Sequence, residues 1–249
     1  MRKKLIAGNW KMNCSRSEAL QLASAIIASA SESSAELLIC VPTIHLSDIA
    51  KLACNSHLKL GVQNAYWQKS GAYTGEISVS MLEDYQIEYL LVGHSERREL
   101  FGDTNDEVAR KFSAALECGI TPVLCIGESL QQREQGITLE VLKEQCQSVI
   151  DLVGIKAFNK ACLAYEPIWA IGTGQTATPE QAQEVHQSLR EFFAQLDKDV
   201  AQGLQILYGG SMNAANAEAL LAQPDIDGGL IGGASLKPDD FLKIYSLAG

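Results

Sequence analysis

Three residues with acid, base or charge chemistry each follow a short apolar run: Glu166, His94 and Lys11. A carboxylate that is partly removed from water has a raised pKa and becomes a better base. An imidazole at the start of a helical turn is disfavoured as a cation, so it can donate a hydrogen bond to a carbonyl group. An ammonium group attracts an anion and stabilises an enolate oxygen. Asn9 shares a strand face with Lys11, which indicates a joint role.

Each of these residues also has an ordinary structural explanation. A single glutamate often forms a surface ion pair, and a single histidine often lies in a core and bonds to backbone. Lys11 resembles the solvated Lys3 and Lys4 nearby. The position after an apolar run is what favours the catalytic interpretation of Glu166, because barrel enzymes carry their active sites there.

Two glycine-rich turns have the composition of a phosphate site. Without side chains, their backbone N–H groups can approach an anion closely, helped by a following helix N-terminus. The alternative is simple turn geometry, because glycine accepts a positive φ. The turns are Tyr208-Gly209-Gly210-Ser211 and Ile231-Gly232-Gly233-Ala234-Ser235.

A long apolar loop over residues 167–177 follows Glu166 directly. Exposure of Ile168, Trp169 and Ile171 is unfavourable unless these residues cover something, so we interpret the loop as a lid over the site. The alternative is a loop that packs permanently on the body of the protein.

The elements that position these residues are eight apolar runs separated by helical patterns. Most runs are continuously apolar, as strands covered on both faces are. They predict a parallel sheet closed into a (β/α)8 TIM barrel, as one α/β domain over residues 1–249. The rival open sheet usually carries a G-x-G-x-x-G turn after its first strand, and none follows here. The runs are Leu5–Trp10, Leu37–Val41, Lys59–Gln63, Tyr89–Gly93, Thr121–Ile126, Ala161–Tyr165, Gln205–Tyr208 and Gly229–Gly232.

Helix starts are predicted at four places from capping residues. Ser15 or Ser17 caps the first helix, and Asn105 caps a later one. Thr178, followed by a proline, opens a third helix, and Asn213 opens a fourth.

Composition narrows the class of protein. The formal net charge of −10 argues against non-specific nucleic-acid and membrane-surface binding, which use basic patches. The seven cysteines have no C-x-x-C spacing, which predicts reduced thiols in a cytoplasmic protein. The N-terminus has no signal-peptide core, and no segment approaches the ~20 apolar residues of a membrane span.

Five segments together resemble the triosephosphate isomerase family, and the resemblance covers nearly the whole chain. The first three are long and specific, whereas the last two would be weak alone. They are residues 9–13 (NWKMN), 92–98 (VGHSERR), 164–174 (AYEPIWAIGTG), 208–211 (YGGS) and 232–236 (GGASL).

The resemblance implies interconversion of dihydroxyacetone phosphate and D-glyceraldehyde 3-phosphate through an enediolate, in glycolysis and gluconeogenesis, without metal or other cofactor. Glu166 would be the base, His94 a neutral proton donor, and Lys11, beside Asn9, would hold the substrate and offset its charge. The phosphate would bind backbone N–H groups of four residues: Gly172, Ser211, Gly232 and Gly233.

The resemblance further implies a homodimer through the loop 64–76, whose tip is Thr74, around Asn13 and Cys14 of the partner. Departures from the family pattern are Gln175, where lysine is common, and Gly229, where alanine is common. Two rival functions remain open at this point: another phosphate-binding barrel enzyme, and a non-catalytic barrel that binds a partner.

Overall fold

Eight parallel strands close into a barrel in the computed structural model, which describes residues 2–30, 33–171 and 176–249. Each strand pairs with its neighbours in sequence, and β8 pairs with β1. The predicted (β/α)8 barrel in a single domain is confirmed. The strands are β1 Leu5–Asn9, β2 Glu36–Val41, β3 Leu58–Val62, β4 Tyr89–Val92, β5 Thr121–Ile126, β6 Cys162–Tyr165, β7 Gln205–Tyr208 and β8 Gly228–Ile231.

Helices lie between the strands and surround the barrel. No helix among the described residues has the length and apolar character needed to cross a membrane. The α-helices are α1 Arg16–Ser29, α2 Leu46–Ala53, α3 Ser95–Phe101, α4 Asn105–Glu117, α5 Leu130–Glu134, α6 Thr138–Val153, α7 Pro179–Leu196, α8 Lys198–Gly203, α9 Ala217–Leu221 and α10 Pro238–Ser246.

Two apolar layers explain why the strand sequences are continuously apolar. Side chains such as Leu38 and Cys40 fill the inside of the barrel. Their neighbours Leu37 and Ile39 belong to the larger core between the sheet and the helices. Successive strand residues point to opposite faces, and here both faces are buried.

Two of the four predicted helix starts are confirmed. Ser15 and Thr178 each accept a hydrogen bond from the third helical N–H, whose own side chain bonds back to the cap. The prediction for Asn105 is wrong by one residue, because Thr104 makes the same reciprocal capping with Glu107. The prediction for Asn213 is also wrong. Residues after it form turns, and α9 begins only at Ala217.

Candidate active site

Glu166 and His94 contact each other at the carboxyl-terminal end of the barrel. The Glu166 N–H donates to the carbonyl of Ile126 over 2.7 Å, which continues the pairing of β5 and β6 by one residue. Its Oε1 lies 3.0 Å from His94 Nε2, and its Oε2 accepts the N–H of Ser95 at 2.9 Å. Glu166 is 1% exposed and His94 is 6% exposed. The structure thus brings the predicted base and the predicted proton donor together in a buried pair.

The start of α3 selects the tautomer of His94. His94 is the N-cap residue of α3, and its Nδ1 accepts the N–H of Glu96 at 3.2 Å. A nitrogen that accepts a hydrogen bond carries no proton in the neutral ring, so the proton lies on Nε2. Nε2–H therefore points at Glu166.

Two opposing effects set the pKa of His94. Burial disfavours the cation, but the carboxylates of Glu166 and Glu96 outweigh it, and the pKa lies above its ordinary value. This direction belongs to the arrangement in which Glu166 rests against the imidazole. The hydrogen bond that Nδ1 accepts from the Glu96 N–H acts in the opposite direction, because it needs the lone pair that a second proton would occupy.

Lys11 follows β1 in a left-handed backbone conformation, with φ of 52°, which is uncommon for a residue with a side chain. Its N–H donates to Asn9 Oδ1 at 3.0 Å, and Gln63 donates to its carbonyl oxygen at 2.9 Å. The ammonium group bonds to Glu96 Oε1 at 2.6 Å. These contacts hold the lysine at the site entrance and support the predicted joint role of Asn9.

A cavity of about 380 Å³ connects these residues with the glycine turns. A Cβ atom at Gly209 would lie 2.8 Å from Glu166 Cγ, so this glycine is required for the glutamate to pack there. The predicted site residues that line the cavity are Asn9, Lys11, His94, Glu166, Ser211, Gly232 and Gly233.

The glycine side of the cavity is suited to an anion. A 3₁₀ helix over Gly233–Leu236 begins there, and the first N–H groups of a helix have no partner within it. Ser211 Oγ donates to the carbonyl of Ala170 at 2.7 Å, which ties this side to the start of the predicted lid. Gly172, the remaining predicted phosphate-binding residue, lies outside the described residues, as does Gln175.

The start of the lid packs on a buried glutamate that the sequence analysis did not single out. Glu128 Oε1 accepts from Tyr165 at 3.0 Å and from Trp169 Nε1 at 2.9 Å. The guanidinium of Arg133 lies over the Trp169 ring at 4.6 Å. Burial raises the pKa of Glu128 above its ordinary value.

Glu128 and Gln63 share a signal that would have revealed them. Each is a polar residue within two positions after a strand, the rule that also identifies Glu166. At Gly229, a Cβ would lie 2.7 Å from Met212 Sδ, so an alanine there would require the methionine side chain to shift. Among the described residues, no three side chains with metal-binding groups cluster.

A buried carboxylate, an imidazole and glycine-rich turns at the carboxyl-terminal mouth form the arrangement expected of a (β/α)8 barrel enzyme for a small anionic substrate. The sequence model of the triosephosphate isomerase family matches residues 4–248. A triosephosphate isomerase from Ruthia magnifica subsp. Calyptogena magnifica is 50% identical, with 98% of each chain covered. Those from Thiobacillus denitrificans and Xanthomonas axonopodis pv. citri are 51% and 52% identical over 100% of this chain and 99% of theirs.

The chain belongs to the triosephosphate isomerase family. It is therefore an isomerase, and the resemblance stated from its motifs is confirmed.

Proposed function

We propose that Glu166, His94 and Lys11 interconvert dihydroxyacetone phosphate and D-glyceraldehyde 3-phosphate, the glycolytic isomerisation that gives the family its name. The observation that carries the assignment is the 3.0 Å contact between Glu166 Oε1 and His94 Nε2 at the wall of the cavity. A base and a donor on one wall are what a proton transfer beside a carbonyl group needs.

The reaction divides into proton transfers at carbon and at oxygen. The Glu166 carboxylate removes a proton from the carbon beside the substrate carbonyl, and the electron pair moves to oxygen to form an enediolate. His94 donates its Nε2–H to that oxygen and moves protons between the two oxygens. Glu166 then returns its proton to the neighbouring carbon, which completes the isomerisation.

The observed position of Glu166 is a resting one in this scheme. Its two oxygens accept hydrogen bonds from His94 and from the N–H of Ser95. When the substrate enters, its carbonyl oxygen replaces the carboxylate as the acceptor of Nε2–H. The carboxylate is then free to turn toward the substrate carbon.

Lys11 and the glycine turns hold the anionic substrate. The ammonium group, which bonds to Glu96 in the observed arrangement, offsets the charge of the enediolate. Backbone N–H groups of Gly172, Ser211, Gly232 and Gly233 bind the phosphate, and this positive site is local in a chain of net charge −10. Closure of the loop 167–177 excludes water from the enediolate and so limits loss of phosphate.

Solvent deuterium incorporation into dihydroxyacetone phosphate tests the assignment of the base. Wild type, Glu166→Gln and the exposed α7 control Glu184→Gln are compared with no metal or nucleotide added. Exchange and isomerisation in wild type and Glu184→Gln, with both largely lost in Glu166→Gln, are expected. Full activity in Glu166→Gln would refute the assignment of Glu166 as the base. No activity in folded wild type would favour a binding protein.

We also propose a homodimer formed by the loop 64–76 around Asn13 and Cys14 of the partner, with Thr74 at the tip of the loop. Supporting it, apolar side chains near this loop face solvent: Met12 is 96%, Ile44 84% and Phe101 68% exposed. A groove of about 300 Å³ beside them, which also reaches Lys11 and His94, suits an inserted loop.

The loop itself is held in one shape. The Tyr66 ring packs 4.0 Å from the Trp67 ring and 4.8 Å from the Tyr73 ring. At the base of the loop, Lys111 donates to Asn64 at 3.0 Å. A rigid loop loses little conformational freedom on insertion, which favours association.

Light scattering after size exclusion tests the dimer. We expect wild type at twice the chain mass of 26.9 kDa and Ile44→Asp at the single mass. Leu152→Asp, at a 54% exposed position on α6, is the matched control and should remain dimeric. A monomeric wild type would refute the proposal.

We further propose a cytoplasmic location. All seven cysteines are free, including the buried Cys40, Cys125, Cys146 and Cys162, as in proteins of reducing compartments. Cell fractionation tests this directly, and recovery of the protein outside the cytoplasmic fraction would refute it.

A further inference from the structure

One guanidinium group connects three elements behind the active site. Arg98 Nε donates to the carbonyl of Gly93 at 2.7 Å, and Nη1 donates to Asn105 Oδ1 at 2.7 Å. Nη2 donates to the carbonyl of Cys125 at 3.3 Å. Gly93 follows β4, Cys125 lies in β5, and Asn105 begins α4.

All three acceptors are neutral, which is unusual for a largely buried arginine. Among the described residues, no carboxylate lies within ion-pairing distance of Arg98, whereas its neighbour Arg97 bonds to Asp103 at 3.0 Å. Burial lowers the pKa of Arg98, as expected for a cation taken out of water. A guanidinium held this way by three carbonyl-type acceptors fixes their relative positions, because its donors form a rigid planar fork.

The connected strand ends are the end of β4, which carries His94, and the end of β5, which holds the backbone of Glu166. Gly93 immediately precedes His94, and Cys125 immediately precedes Ile126, whose carbonyl accepts the Glu166 N–H at 2.7 Å. The approach is close, because a Cβ at Gly93 would lie 2.8 Å from Arg98 Nη2. Gly93 also has φ of +73°, which a side chain would rarely allow.

We propose that Arg98 is a positioning residue: its guanidinium sets the separation of the ends of β4 and β5, and thereby the alignment of His94 with Glu166. It touches neither the substrate cavity nor the reacting atoms. The proposal rests on the roles proposed above for His94 and Glu166. It predicts a loss of kcat without a loss of substrate binding, because the phosphate site lies on β7 and β8 at the other side of the mouth.

The test compares Arg98→Gln and Arg98→Lys with Arg190→Gln and Arg190→Lys. Arg190 is also largely buried and also bonds to backbone carbonyl oxygens, those of Ala201, Leu204 and Asp225, but at the amino-terminal end of the barrel. Measured quantities are kcat, KM, competitive inhibition by inorganic phosphate, and Tm. Lysine keeps the charge but loses the fork, so it separates alignment from charge.

Both Arg98 variants should lose about 100-fold in kcat, because a misplacement of about 1 Å has that effect. Their KM and phosphate inhibition should stay within about twofold of wild type, as for a loss specific to the transition state. Both Arg190 variants should lower Tm with kcat within about twofold of wild type. If kcat falls in proportion to Tm in the Arg98 variants and in the Arg190 variants alike, the proposal is overturned.

Asn105→Ala provides a second route that leaves Arg98 in place, in case Arg98→Gln does not fold. Loss of the Nη1 acceptor should lower kcat by a few fold at constant KM, which is roughly the effect of losing one hydrogen bond. Unchanged kcat in Arg98→Lys and Asn105→Ala would overturn the proposal. An error in the assignment of Glu166 would appear separately, as activity of Glu166→Gln.

Discussion

The two ends of the barrel hold buried charges in different ways. At the amino-terminal end, Arg190 bonds to Asp225 and to Asp227, each at 2.6 Å, so these three charges meet opposite ones. At the carboxyl-terminal end, Arg98 is held by neutral acceptors, and Glu166 lies against an imidazole. The Arg190 cluster is closed by opposite charges, whereas the contact between Glu166 and His94 is one that a substrate can replace.

The difference separates stability from catalysis. A buried ion pair is expensive to break, so the amino-terminal end locks the strands together. A group that takes part in a reaction must instead change partners. Shifted pKa values are typical of functional sites, where charged groups are incompletely paired. Substitutions at the first end should therefore change unfolding, and substitutions at the second should change rates.

Loss of Arg190 should have the largest effect. Arg190→Gln leaves Asp225 and Asp227 without this partner, which should lower the free energy of unfolding by about 3 kcal/mol, measured by urea denaturation. Burial tends to raise the pKa of Asp225, but hydrogen bonds from Gln183 and Arg190 outweigh it and keep the pKa below its ordinary value.

The sign of the pH effect follows from that direction. A depressed carboxyl pKa stabilises the fold above about pH 4, and the stabilisation is lost as the pH falls through the lower folded-state pKa. Arg190→Gln should therefore shift acid unfolding to higher pH, with kcat of the folded enzyme retained. A large loss of kcat with unchanged stability would contradict the division between the two ends.

The next largest effect is expected at the base. Glu166→Asp withdraws the carboxylate by about 1 Å, which should reduce kcat/KM about 100-fold. Tm should change little, because the charge is kept at the same place in the chain. A steady-state assay with thermal unfolding on one preparation measures both, and a rate within a few fold of wild type would mean that another group is the base.

A smaller effect is expected from crowding Glu166. In Gly209→Ala, the new Cβ would lie 2.8 Å from Glu166 Cγ and 3.0 Å from the carbonyl of Tyr165, so the glutamate must shift. We expect kcat to fall about tenfold, part of the effect of a 1 Å displacement. Gly203→Ala is the control, because a Cβ there meets nothing within 4 Å. Equal rates in both variants would show that Glu166 tolerates the shift.

The strands, and the residues that meet at the cavity, were predictable because both follow local rules. Eight continuous apolar runs indicated buried strands, and the strand-end rule then identified Lys11, His94 and Glu166 without any knowledge of contacts. Helix starts depended on which of two adjacent capping residues is used, and Thr104 rather than Asn105 caps α4.

The partners of these residues were not predictable, because they depend on distances between separate strands. The Ser95 N–H on Glu166 spans 71 positions in sequence, and the Gln63 bond to Lys11 spans 52. Glu96 lies 85 positions from Lys11 in sequence, and only the fold shows their contact at 2.6 Å. The three hydrogen bonds of Arg98 likewise depend on the closed barrel.

The smallest expected effect is a titration shift that compares one histidine from each end. Nδ1 of His186 donates to the carbonyl of Asp225 at 3.2 Å, and burial lowers the pKa of His186 to about 4. His94 carries its proton on Nε2 and has a raised pKa because of nearby carboxylates, above all Glu166. In Glu166→Gln that carboxylate is gone, so the pKa of His94 should fall. His186 should stay neutral from pH 5 to 8, the range in which an ordinary histidine titrates. Nitrogen-15 NMR of the imidazoles resolves both rings and their tautomers. An unchanged pKa of His94 would show that Glu166 does not control its charge, and the contrast between the two ends would then rest on burial alone.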